Sequence, residues 1–180
     1  MSIILILPFS LYAEDNENSP SGCNLLYPTL YSITLFIPGL IMLNLFIEPD
    51  ETWHPFSFDN FLSAFGSPPE DDKDSWIFNF VLHPLWGSET YLRARTNGCN
   101  WWQSWLFSNA MSILWEYGFE SWNEHPSLQD LLITGNIGSI IGEARYFFIK
   151  KIKKIENTGF KYFLLFTLDP IQTTIDCIFN

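Results

Sequence analysis

The chain has 180 residues and a formal charge of −11, with 47% hydrophobic, 18% aromatic and only 16% charged residues. That length accommodates one domain with a real core, and the apolar, aromatic-rich composition excludes a disordered chain. The acidic balance excludes nucleic acid as a partner, which leaves a membrane-associated protein or an unusually apolar globular one.

In chain order, residues 1–13 read as a signal peptide: a short apolar stretch over 3–11 is followed by Tyr12-Ala13, although a basic start is missing. An acidic tail covers 14–24. Residues 25–47 carry no charge and are long enough to span a bilayer. Pro28 and Pro38 interrupt them, so a kinked span and a helix lying against the membrane both fit. Residues 48–75 form an acidic, Pro-rich loop, with a short amphipathic helix around Phe56–Phe65.

The core helical domain is expected over 76–155. One helix runs from Trp76 to Thr96 with Pro84 in its early turns and Gly98 as its stop. Asn100 caps a second to about Trp122, and Ser127 caps a third from Leu128 to about Lys154. The apolar segment 156–180 reads as a further helix broken near Asp169-Pro170. The fold class is therefore all-α: a compact bundle of four or five apolar helices, embedded in or associated with a membrane.

Ser104, Ser108, Ser112, Glu116 and Glu120 recur every four residues on the second core helix. Gly135, Gly138, Ser139 and Gly142 form a small-residue face on the third, and together they predict close helix packing. Lys150, Lys151, Lys153 and Lys154 end the third helix, where they favour its dipole and an anionic membrane surface. Read as a topology signal they place that end on the cytoplasmic side. They are equally compatible with a periplasmic domain resting on a membrane. Cys23, Cys99 and Cys177 are an odd number with no zinc spacing, and they read as unpaired thiols.

The residues that packing explains least are ionisable groups in apolar surroundings, where a charge is expensive. His83 sits in F-V-L-H-P-L-W. Arg95, Glu116, Asp130 and Glu143 could meet it, and a carboxylate beside the imidazole would suit a general base or a metal ligand. Asp130 has an ordinary alternative, since Ser127-x-x-Asp130 has the form of a capping box. Arg93 and Arg95 flank a helix end and could pair with Glu116 or Glu143. Glu143 could instead pair with Arg145. His54 and His125 read as loop residues. No nucleophile elbow, phosphate loop, dinucleotide fingerprint or H-E-x-x-H is present, and no cofactor is named by the sequence.

In order, the motifs are D-x-D-x-W-x-x-N, H-P-x-x-G-S, A-R-x-N-G, S-x-x-W-E, P-S-x-x-D and G-S-x-x-G-E. This set resembles an uncharacterised bacterial envelope family, domain of unknown function 3943, over about residues 70–150. The resemblance marks Asp72, Asp74, Asn79, His83, Gly87, Arg95, Gly98, Glu116, Ser127, Asp130, Gly142 and Glu143, and implies export. A fainter likeness in spacing is to VanZ-like membrane proteins. Their Glu-x-x-Gln is absent, with Glu116-Tyr-Gly-Phe in its place.

Two functions are expected. One is a cell-envelope protein, membrane-associated on the periplasmic side with membrane lipid as partner. A buried His83–Arg95–Glu116–Asp130–Glu143 network would then be structural or binding. The other is a membrane-embedded hydrolase or transferase acting on a lipid or cell-wall intermediate. There His83 would be base or metal ligand, with Arg95 on an anionic head group.

Overall fold

Among the residues that the computed structural model describes, 22–46, 54–71 and 76–179, all regular structure is helical. Eight α-helices follow one another there: α1 (Leu26–Phe46), α2 (Phe58–Ser63), α3 (His83–Thr96), α4 (Trp101–Leu114), α5 (Leu128–Leu132), α6 (Gly138–Ile152), α7 (Thr158–Leu168) and α8 (Pro170–Phe179). The all-α expectation holds, but the helices are more broken than four or five continuous rods. Three π-helical turns interrupt them: Phe78–Leu82 before α3, Trp115–Phe119 after α4, and Ile133–Ile137 between α5 and α6. The expected leader at 1–13, and Asp72 and Asp74, lie outside the described residues.

The helix starts follow local chemistry. Asn100 Oδ1 accepts from Gln103 N and Gln103 Oε1 accepts from Asn100 N, a complete capping box for α4. Gly98, at φ 83°, supplies the left-handed residue that turns α3 into α4. Asn157 caps α7, and Asp169 caps α8 by accepting from Gln172 N.

Packing is built on α3, α4 and α6. The backbones of α3 and α6 nearly touch at Gly87 and Gly138: a Cβ on Gly87 would lie 1.8 Å from Thr134 O. Ser108 of α4 donates to Gly87 O and accepts from Thr90 Oγ1, tying α4 to the same spot. The glycine face of the third helix was expected to meet the serine stripe of the second. It mostly meets α3 instead, since Gly142 packs on Tyr91 and Ser88.

Helix α1 lies on this core through Tyr27, Tyr31 and Phe36, all buried. The Phe36 ring sits 4.9–5.3 Å from Trp86, Trp115 and Phe119. A disulfide between Cys23 and Cys99 ties the start of α1 to the α3–α4 turn, which corrects the expectation of unpaired thiols. An odd count prevents a complete framework but not one bridge, and Cys177 is the exposed remainder. No helix among the described residues is long and apolar enough to cross a membrane. On α1, Tyr27 Oη donates to Gln172 Oε1 and Tyr31 Oη to Glu89 Oε1, which ties its polar atoms to the helix bundle.

The segment 54–71 folds over the far end of α4. Ser57 caps α2, Asn60 Nδ2 donates to Trp122 O, and Phe61 stacks on Trp122 at 4.8 Å. Glu70 then pairs by backbone with Pro126 and Leu128, bracing the entry to α5.

Candidate functional site

Each of the three π turns adjoins or contributes to one cluster of polar side chains. His83 follows the first directly, and Glu116 lies in the second. Thr134 lies in the third, and its Oγ1 is 3.0 Å from His83 Nδ1. A π turn widens a helix by one residue and re-aims the side chains that follow, and such turns are rare and concentrated at functional sites. Here they bring His83, Glu116 and Asp130 together, with one ligand-capable atom from each lying within 4.8 Å of the others. His83 Nε2 lies 3.9 Å from Asp130 Oδ2, and both carboxylates are buried.

The capping expectation for Asp130 is only half met. Ser127 Oγ accepts from Asp130 N, as a cap should. In a full box the Asp130 carboxylate would accept from Ser127 N, but that N–H goes to Glu116 Oε2 at 2.9 Å. Glu116 thus takes over the capping bond, and Asp130 turns toward His83. One helical turn before His83, the buried Asn79 Oδ1 has no hydrogen-bond partner among the described residues. One turn before Glu116, the same holds for Ser112 Oγ.

His83 also lines a cavity of about 540 Å³ between α1, α3 and the α7–α8 hairpin. Its walls are chiefly apolar, from Leu35, Trp86, Trp115, Leu168 and Ile171, with Gly39 leaving space on α1. Four ionisable side chains interrupt that lining: His83, Glu89, Glu120 and Arg145. Glu116 and Asp130 stand behind His83, away from the cavity wall.

A second polar cluster backs the same cavity. Arg93, fully buried on α3, pairs with Asp169 and with Glu89 at 3.0 Å, donates to Gln172 Oε1 at 3.1 Å, and lies over the Tyr31 ring. Glu89 also accepts from Tyr31 Oη at 2.7 Å and from Arg145 Nη2 at 2.8 Å. Arg145 completes its donors on Ser88 Oγ and Leu168 O. Burial pushes the Glu89 carboxyl up, but Arg93 and Arg145 outweigh it and hold it below the usual carboxylate range. Burial likewise opposes the Arg93 charge, and Glu89 and Asp169 more than restore it. Burial and the neighbouring Glu89 raise the Tyr31 hydroxyl, which stays neutral as a donor.

Arg95 and Glu143 belong to neither cluster. Arg95 grips Glu143 with Nε at 2.7 Å and Nη2 at 3.0 Å, donates to Cys99 O, and stacks on Tyr146 at 4.1 Å. Tyr91 Oη donates to the same carboxylate at 2.7 Å. These bonds, Arg95 foremost, hold the Glu143 carboxyl below its ordinary value. Of the two partners open to Glu143, the structure selects Arg95. The five residues expected to form one network therefore divide into His83–Glu116–Asp130 and Arg95–Glu143.

Several residues of the second cluster were not singled out: Glu89, Asp169, Tyr31, Gln172, and Thr134 beside His83. Glu89 and Arg93 have the i, i+4 spacing of a helical ion pair, which the sequence does display. The rest come from segments far apart in the chain, and no local pattern connects them.

A family model described as "Domain of unknown function (DUF3943)" matches residues 68–171, more than half of the chain. The chain belongs to that family. The DUF3943 match runs beyond the motifs ending near residue 150 and takes in Asp169, so it covers all three members of the His83 cluster and the Arg93–Asp169 pair. The likeness in spacing to VanZ-like proteins is not supported. No curated protein and no solved structure matches this DUF3943 chain.

Proposed function

We propose that this DUF3943 protein is an extracytoplasmic envelope protein, resting on a membrane, that binds an amphiphile in the cavity beside His83. The observation that carries this reading is the cavity itself. Its volume of about 540 Å³ falls among ordinary ligand sites, which are mostly apolar with a few convergent polar groups. An acyl or prenyl chain fits the walls of Leu35, Trp86, Trp115 and Ile171, and a polar head fits the side of His83, Glu120 and the Glu89–Arg145 pair. Arg95 is not available for an anionic head group, because Glu143 and the Cys99 carbonyl occupy it.

Two further features support the location. Disulfides persist in oxidising compartments, and Cys23–Cys99 is one. Exposed Trp101, Trp102, Phe147, Phe148, Phe163 and Phe166 on α4, α6 and α7 give apolar surface, and the lysines ending α6 adjoin it. Such a combination suits the boundary of an anionic lipid layer.

A second reading, a hydrolase or transferase acting on a lipid or cell-wall intermediate, draws on one observation: His83 faces the cavity while Glu116 and Asp130 stand close behind it.

The binding reading is tested with a brominated fatty acid, which quenches tryptophan on contact. Trp86 and Trp115 line the cavity, so quenching should saturate at one site on the full chain. Gly39→Leu places a side chain against Trp115, where a Cβ would meet the ring at 3.5 Å, and should abolish that saturable phase. Quenching that never saturates, or that Gly39→Leu leaves intact, refutes the reading.

A further inference from the structure

We propose that His83, Glu116 and Asp130 bind a divalent metal ion, zinc by preference, beside the cavity that His83 lines. The donor set is an imidazole and two carboxylates, the type that holds zinc with three protein ligands and leaves one position open. The ligand-capable atoms already lie within 4.8 Å of one another, and His83 Nε2 and Asp130 Oδ2 are 3.9 Å apart. Zinc–ligand distances are about 2.0–2.2 Å, so the set reaches tetrahedral spacing by closing roughly 0.5–1.5 Å. The imidazole–carboxylate separation is too long for a hydrogen bond and suits two ligands of a common ion.

The surroundings orient each ligand. Thr134 Oγ1 can accept from His83 Nδ1–H, which leaves the Nε2 lone pair facing Asp130, the tautomer a metal needs. Ser127 N donates to one Glu116 oxygen at 2.9 Å and so orients the carboxylate. Ser127 Oγ anchors the Asp130 backbone. The transfer of the capping bond from Asp130 to Glu116 has a clear effect in this light: it aims Asp130 at His83 and away from its own helix end. Two buried carboxylates beside an imidazole are donors that attract a divalent cation. The buried Asn79 Oδ1 and Ser112 Oγ, without partners among the described residues, stand one turn from two of the three ligands and are suited to bind water around an ion.

Of the three ligands, His83 alone lines the cavity, so its imidazole connects the ion to that space. A bound zinc would hold there a water or an oxygen from the head of whatever occupies the cavity. The site thus deepens the amphiphile reading, on whose cavity it rests, but zinc binding can be measured with no amphiphile present.

The experiment uses the full chain, stripped with a chelator and then titrated with zinc alone, with metal content read by mass spectrometry. Wild type and Glu143→Gln should each bind one zinc per chain. Glu116→Gln and Asp130→Asn, which keep shape and remove charge, should each weaken binding at least tenfold, as should His83→Asn. Cobalt in place of zinc should give visible absorption bands of low coordination number, a signature that a merely structural role for the three residues would not produce. Wild type that takes up no zinc, or Glu116→Gln and Asp130→Asn variants that bind like wild type, overturns the proposal. Should His83→Asn fail to fold, the cobalt spectrum of the wild type and the two amide variants carry the test. Quenching by the brominated fatty acid is read in parallel on the stripped protein. Its loss with zinc binding intact refutes only the amphiphile, and the converse refutes only the ion.

Discussion

Two polar clusters lie on either side of one cavity, and they solve the problem of buried charge in different ways. Around Arg93 the charges are balanced: two guanidinium groups face two carboxylates, with Tyr31, Gln172 and Ser88 taking up remaining donors and acceptors. Around His83 an imidazole and two carboxylates place ligand-capable atoms within 4.8 Å of one another, with His83 Nε2 3.9 Å from Asp130 Oδ2. The first arrangement is a closed ionic joint that fastens α1 and the α7–α8 hairpin to α3. The second gathers three ligand-capable side chains around a common point. Burial alone therefore does not distinguish scaffold from site; the spacing of the atoms and the chemistry of the donors do.

If that contrast is right, the largest loss of stability should come from breaking the joint. Arg93→Met leaves Glu89 and Asp169 buried without their main counter-charge, and removing one partner of a buried pair typically costs about 3–5 kcal/mol. Denaturant unfolding should show that loss. Glu116→Gln in metal-free protein should lower stability far less, because the amide keeps an oxygen to accept from Ser127 N. An equal loss in both variants would erase the distinction between the clusters.

Next in size is the disulfide. Cys23 and Cys99 are 76 residues apart, and opening a loop of that length typically removes about 2–4 kcal/mol. The paired variant Cys23→Ser with Cys99→Ser should unfold at lower denaturant, and reductant should shift the wild type but not the variant. Gly87→Ala should follow at about 1–3 kcal/mol, since the added methyl overlaps Thr134 O and forces α3 and α6 apart. Because Thr134 also holds His83, Gly87→Ala should weaken zinc uptake as well, whereas the disulfide variant should not.

The smallest effect is the pH dependence of the joint. The Glu89 carboxyl is held below its ordinary value near 4.5, so its contribution is complete above that pH and is lost as pH falls through the lower folded value. Thermal scans should stay level through mild acid and then drop. Glu143→Gln should flatten that drop slightly, because Arg95 lowers the Glu143 carboxyl in the same direction. Its half-exposed pair is expected to be worth about 1 kcal/mol or less. A steep rise in stability toward acid would contradict both assignments.

Much of the fold could be read locally. Asn100, Gly98, Ser127 and the break at Asp169-Pro170 mark helix ends through bonds made within a few residues, and all four act as expected. The Ser and Gly stripes announced close packing, although not which helix would fill it, because a small-residue face shows that a neighbour comes near and not which one. Three cysteines suggested free thiols, and proximity in the folded chain overruled the count.

The residues of the site were visible as types and invisible as a grouping. His83, Arg95, Glu116, Asp130 and Glu143 stood out because charge is expensive among apolar neighbours, a fact of composition that needs no coordinates. Nothing local could say that Glu116 would take the capping bond meant for Asp130, or that Arg95 would leave the group for Glu143. Those outcomes depend on π turns that shift side chains by a fraction of a helical turn, and on contacts between segments tens of residues apart. The sequence by itself determined that this would be a helical DUF3943 protein with costly polar residues inside it. Only the tertiary structure decided that Arg95 pairs with Glu143 and that His83, Glu116 and Asp130 face a common point, because grouping depends on distances of a few ångströms across the bundle.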